Sequence, residues 1–590
     1  MAVALSSESA HALNGFFASK QEGPVKSYTT QVVVMKKGNT TAVSLMPDYE
    51  GPLEGFAMVL LVPSDVAVDH VSTLKREFID RVDALSAPRF HEFWEQDPCD
   101  PSPPQQEWER SLKVEGGGFL GGGSMTGGKK IAKELFLDVK AKQKEGEYKF
   151  TVLEPSQNAV GWLSSKGYKA PSGADAALKP YTDAGMKVLI AEVDPKRIEL
   201  VGGDRAQLSP VRYFTDQPFD TIVAKPGLLD SPGKQELFIY VLDPEQRYET
   251  KNYKTIFPPT NIAVDFEVKE RMGEFYAGLH DIILAKSPKT FLAEYAWPAD
   301  SCGQPCPTEP LMIHELLSLG ADVFERSVPE AERNPKPPEL TKEEKEARKN
   351  ELKELKPKER KEREQQMDEE RKTVALRKVL LERHKYVLSR LHYRYDAQSL
   401  PEDPKIGRAS SGASGGVALP NGPKMEIATE VKETPASRLQ VRYNNFHPWV
   451  PVIKCDHPDR GKWGKSPPDY RGLRKTWIAE DISRKSRTQI KPAKMVITPI
   501  PDLGLGAVKK DQADAGADAG LDPSKSGSGG KCGCSVPGAP ASAAGLFRRA
   551  GGRPELLRAP TEASVAPIDV GAAGGRECGD VGAARFDRRC

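Results

Sequence analysis

No run of about 18 apolar residues occurs anywhere in this chain of 590 residues, so no segment reads as a bilayer-spanning helix. The longest apolar stretch, FAMVLLVP at 56–63, has the length of a buried strand. Net charge is scarce as well. With 85 basic and 83 acidic residues the formal charge is +2, which gives no overall field to attract nucleic acid or an anionic membrane. No nucleic-acid partner is expected. Hydrophobic residues make up 38% and charged residues 28%, diluted by 51 Gly and 49 Pro, so core-forming text is confined to particular stretches. The length accommodates two or more compact units with tails and insertions.

Complete catalytic motifs are also lacking. In GGGSMTGGKK, Gly123, Gly128 and Lys129 have the spacing of a phosphate loop, but Lys130 stands where Ser or Thr would hold magnesium. GGGFLG satisfies the dinucleotide pattern only as any glycine run does. His314 and Glu315 open MIHELLSLG, yet Ser318 occupies the position of the second histidine that a zinc-protease helix needs. An ordinary amphipathic helix is the plainer reading. No Ser/His/Asp or Cys/His set assembles from spacing, and no cofactor is expected.

What is present begins with a β signal. TTQVVVMKK and TTAVSLMP flank the two-residue turn Gly38-Asn39, a hairpin signature, and FAMVLLVP is expected to add a third strand to this nucleus. In HVSTLKREFIDRVDALSAPRFHEFW, Leu74, Phe78, Val82 and Leu85 fall at helical spacing. Further strands are expected in YKFTVLEP, KVLIAEVD, SPVRYFT, QELFIYVLD, TKNYKTIF, TFLAEYAW, VLSRLHYRYD and SRLQVRYNNFHPW, with helices in AVGWLSSKG, in ADAALKPYTDAG and near 267–285. This order predicts an α+β body with a mixed or antiparallel sheet and packed helices.

Between Pro329 and Lys372 large apolar residues almost vanish. Thr341 and Glu344 form a capping box and Glu344–Arg348 a favourable pair four residues apart, which predicts a solvated helix until Pro357 interrupts it. The expected organisation is a partial signal peptide at 1–12, an α+β unit at 13–110, a Gly-rich excursion and helix at 111–147, a second α+β unit at 148–328, the charged insertion at 329–372, the rest of the body at 373–500 and a disordered tail at 501–590. The expected leader rests on Ala10-His11-Ala12, a small-X-small site with the cut expected after Ala12.

Of eight cysteines, Cys99, Cys302, Cys306 and Cys455 lie in the body, each in turn-like text beside Pro or Asp, and they allow three pairings. Disulfides in an oxidising compartment are expected, with a local bridge or half of a metal site both open for the C-X3-C of Cys302 and Cys306. FHPWVPVIKCDHPDRG places His447, Cys455 and His457 in one span as weak metal-ligand candidates lacking an evident fourth.

Several runs, taken in order, resemble the bacterial domain-of-unknown-function 2330 family: VVVMKKGNTTAVSLMPDYEGPLEGFAMVLLVP, RVDALSAPRFHEFWEQDPC, WLSSKGYKAPSGADAALKPYTDAGMKVLIAEV, QELFIYVL, FLAEYAW and RLHYRYD. The resemblance extends from about Asn14 to Trp449. It implies an exported bacterial protein with a paired-cysteine body, to which Cys99 and the Cys302/Cys306 pair correspond, and carries no activity. Near the C-terminus SGSGGKCGCSVPGAPAS is similar to a MYXO-CTERM sorting tag, with Cys532 and Cys534 matching its signal. No apolar span follows, as a shifted reading frame after about Gly545 would explain.

The expectation is therefore an exported protein of the cell envelope or exterior, a noncatalytic binding or structural module with an envelope or extracellular ligand, and membrane or surface attachment through the tag. The alternative is an exported metal-dependent enzyme with its site near His447, Cys455 and His457. A cytosolic nucleotide-binding protein, which needs Lys129 on phosphate, ranks last.

Overall fold

The hairpin forms as its text predicts. β1 (Gly15–Ser19) is followed by β2 (Thr29–Lys37) and β3 (Thr40–Pro47), which pair antiparallel with Lys37 opposite Thr40. Gly38 has φ 62°, the left-handed conformation that the first position of a type II′ turn requires. FAMVLLV forms β4 (Phe56–Val62), but in a different sheet from the hairpin. It pairs antiparallel with β1 and, on its other side, with a strand far along the chain. β4 is apolar on both faces: Met58, Leu60 and Val62 face the hairpin's Val32 and Val34, while Ala57, Val59 and Leu61 face helices, so it lies in a layer between the hairpin's sheet and those helices.

After β5 (Val71–Thr73), α1 spans Arg76–Ser86 and buries Ile79, Val82 and Leu85. The helix stops there because Pro88 follows, and RFHEFWE continues as strand β6 (Arg89–Glu95), so the helical pattern seen in the sequence covers only the first part of that segment. β7 (Tyr148–Leu153), α2 (Ala159–Ser165), α3 (Ala174–Asp183) and β8 (Lys187–Val193) complete the small sheet, ordered β1-β4-β8-β7, with α2 and α3 over its outer face. Asn158 caps α2 by accepting from Gly161 N at 2.7 Å.

The large sheet draws on the whole body. β9 (Val211–Thr215), β10 (Gln235–Asp243), β11 (Thr290–Pro298) and β12 (Val387–Tyr395) join the hairpin in the order β11-β12-β10-β2-β3-β9-β5, extended past β11 by short strands at 438–440, 412–415 and 432–434. β10 runs parallel to β2 and antiparallel to β12, so the sheet is mixed. Its inner face packs on the small sheet through Val32, Val34, Leu237, Ile239, Val241, Leu391 and Tyr393. Its outer face lies under α1 and the helical segment 313–324. α4 (Met272–Lys286) contributes Phe275, Tyr276 and Leu279 to a further apolar cluster with Phe90 and Tyr443. Tyr443 belongs to β13 (Arg442–His447), which pairs in parallel with β6.

The charged segment is a helical hairpin. α5 (Lys342–Lys353) starts at the Thr341/Glu344 capping box, and α6 (Pro357–Arg383) starts with Pro357 at its first turn. α6 runs past residue 372 and ends with Leu380 buried under the large sheet.

The computed structural model describes residues 14–102, 146–464 and 477–478, apart from 203–204, 230–232, 304–305, 307, 334, 417–418, 422–423 and 427–429. The leader at 1–12, the glycine loop with Gly123, Gly128 and Lys129, and the tail with Cys532 and Cys534 lie outside the described residues. The chain is an α+β protein, and all described residues fall in one unit, Met1–Lys510.

Candidate functional site

β12 reads S-R-L-H-Y-R-Y, and strand alternation sends Leu391, Tyr393 and Tyr395 into the inner core and Arg390, His392 and Arg394 to the other face. That face is not solvated. α4 and α1 close over it, so three cationic side chains are buried at once: Arg390 0%, His392 2% and Arg394 8% exposed. Burial of this kind is tolerated only with close counter-charges.

The neighbouring elements supply them. A bulge in β11 between Ala293 and Tyr295 places Glu294 beside both Arg390 and His392. Arg390 Nε donates to Glu294 Oε2 at 2.6 Å, and Arg390 also pairs with Asp83 of α1. Tyr240 OH donates to Asp83 at 2.6 Å, and Tyr276 OH of α4 donates to Glu294 Oε1 at 2.7 Å. The ring of His392 lies between two carboxylates: Nδ1 is 2.7 Å from Glu294 and Nε2 is 2.6 Å from Glu236 of β10. Arg394 holds the second Glu236 oxygen at 2.8 Å and lies 3.4 Å from Asp281, which Lys234 also reaches at 3.1 Å.

Burial opposes the charge of His392, but Glu294 and Glu236 outweigh it and hold the imidazole pKa above its usual value. Burial would likewise raise Glu294; the charges of His392 and Arg390 and the hydrogen bonds from His392 and Tyr276 hold it below the usual carboxylate range. The two directions agree on an ion pair. His280 behaves in the opposite sense. It projects from α4 one turn beyond Tyr276, is fully buried, and neither ring nitrogen has a hydrogen-bond partner among the described residues. Burial first, then the charges of His392, Arg394 and Lys234, push its pKa well below the ordinary imidazole value. Its ring meets that of His392 edge to face, 4.6 Å between centroids.

The cysteine candidates form two pairs, Cys99 with Cys455 (Cα–Cα 5.6 Å) and Cys302 with Cys306 (5.7 Å). Cys455 is thereby taken out of a thiolate ligand set. His447 stacks on Trp94 at 4.5 Å and its Nε2 is 3.1 Å from Glu92, while His457 is exposed. The structure does not bring His447, Cys455 and His457 together as ligands. Glu315 is occupied by Arg81 and by the backbone N–H of Met312, so the His314 helix plays a structural part.

Residues 8–406 match the model of the family described as an uncharacterized protein conserved in bacteria, DUF2330. The chain belongs to the DUF2330 family. No curated protein and no solved structure matches it. The DUF2330 region contains every member of the buried network, Asp83, Glu236, His280, Glu294, Arg390, His392 and Arg394, and ends before His447, Cys455 and His457. Reading the sequence for motifs missed this network because its members are isolated in apolar strands. The available signal was charge inside such text: Glu236 in QELFIYVL, Glu294 in TFLAEYAW, and the strict alternation of RLHYR.

Proposed function

We propose that this DUF2330 protein is exported and works in the bacterial cell envelope as a noncatalytic binding or structural module. The observation that carries the reading is the pairing of all four body cysteines, including Cys99 with Cys455 across 356 residues of chain. Disulfides of this kind persist in oxidising compartments and not in the reducing cytosol. The noncatalytic part rests on the buried network, whose charges are spent on one another under 0–8% exposure. A ligand of the module is then an envelope or extracellular molecule, and attachment to a membrane or surface runs through the Cys532/Cys534 tag.

The test is intact mass and peptide mapping, without reduction, of the native protein from fractionated cells. A chain starting at Leu13, with linked Cys99–Cys455 and Cys302–Cys306 peptides in the envelope or medium, is the expected result. A chain starting at Met1 with free thiols in the cytosol overturns it.

A further inference from the structure

We propose that Glu236, His280 and His392 form a buried binding site for one divalent cation of the zinc class, holding α4 to the β10–β12 strand pair. One ligand atom from each of the three lies within 4.8 Å of the other two, and the residues are 6%, 0% and 2% exposed. Two imidazoles and a carboxylate suit a borderline cation such as zinc.

The arrangement has three features that a plain ion network does not need. Neither ring nitrogen of His280 has a hydrogen-bond partner among the described residues, although the ring is fully buried beside charged groups, where an unsatisfied polar atom is costly. His392 is oriented from behind by the bond between its Nδ1 and Glu294, which is the carboxylate–histidine support common to metal-ligating imidazoles. The Glu236 oxygen away from His392 is held by Arg394, so the carboxylate cannot rotate out.

With bonds of about 2.0–2.1 Å, tetrahedral ligand atoms stand about 3.3 Å apart. The cation therefore enters between His392 Nε2 and Glu236, now 2.6 Å apart, and replaces the proton they share. That proton leaves to solvent and the local charge rises by one. Arg394 and Lys234 oppose this rise, and Glu294 and Asp281 offset them.

The full-length chain, stripped with chelator and dialysed, is titrated with Zn²⁺ and separately with Co²⁺. Wild type is expected to bind one equivalent of zinc with a rise in melting temperature, and to give the visible bands of tetrahedral cobalt. His280→Leu removes a ligand while keeping an apolar body of similar size. It is expected to be at least as stable as wild type in chelator, and to bind at least about 100-fold more weakly without the bands. Absence of stoichiometric binding by wild type overturns the site, as does equal binding by His280→Leu. A stripped wild type that folds only when zinc is returned supports it. These outcomes do not depend on export, so this inference and the envelope reading fail separately.

Discussion

A buried ionisable side chain is stable in whichever protonation state its neighbours favour, and this chain uses both solutions within a few residues. His392, between two carboxylates, is held charged. His384 lies at the end of α6 and is held neutral, pushed down to about 4, by burial first, with Glu325 opposing and Lys37 and Arg383 reinforcing the fall. Its Nε2 is 2.8 Å from Glu325 and its Nδ1 is 3.0 Å from Tyr386 OH, so the neutral ring donates to the carboxylate and accepts from the phenol. Because the folded pKa is depressed, the unfolded chain takes up a proton first as pH falls. The contribution is complete above the unfolded value of 6.5 and is lost as pH falls from there toward about 4. Over that interval the wild type should lose roughly 3 kcal/mol more stability than His384→Asn, read from urea midpoints along a pH series. Equal losses in the two proteins would show that His384 titrates normally. Neither histidine could be assigned from text alone, since the sign of each shift depends on which carboxylates come within reach.

At the scale of elements, composition is informative where a segment meets water on one side and weak where it is buried all round. The Gly38-Asn39 hairpin, the capping box at Thr341 and the break before Pro357 were legible because each depends on backbone preferences within a few residues. The sheet assignment of β4 was not, because a strand apolar on both faces does not say which layer it joins. Gly320 shows the same limit. In the sequence it is the last residue of MIHELLSLG, read simply as an amphipathic helix. In the structure it has φ 146° within the helical stretch Leu317–Ala321, and a Cβ there would lie 2.3 Å from the Ala42 Cβ of β3. Gly320→Ala should thus cost about 1–3 kcal/mol or more, from a left-handed backbone combined with overpacking, seen as a lower urea midpoint with an unchanged slope. A variant as stable as wild type would mean that the segment withdraws freely from the sheet.

At the scale of the molecule, the longest cysteine link has a mechanical role. β6 and β13 are parallel neighbours, and parallel neighbours cannot be joined by a short turn. Cys99 and Cys455 follow the ends of these two strands and clip them together across a sequence separation of 356. Cys302 and Cys306 are separated by only 4 and close a small loop. Replacing Cys99 and Cys455 by Ser should cost about 2–5 kcal/mol, and replacing Cys302 and Cys306 clearly less, because the constraint on the unfolded chain grows with loop length. Denaturation of the two double variants decides it, and a larger loss from the Cys302/Cys306 pair would reverse the ranking. The α+β class, most strands and helices, the capped charged helix before Pro357 and the cysteines available for pairing are legible in the chain's text, because they follow from periodicity, capping and turn chemistry over short spans. Long-range packing alone sets that the large sheet gathers strands from residue 29 to residue 440, that Cys455 meets Cys99, and that Glu236, His280, Glu294 and His392 share one buried site. Those are contacts between residues tens to hundreds of positions apart. Their partners are selected by which buried faces and charges complement one another once the layers stack, and spacing along the chain carries little of that information.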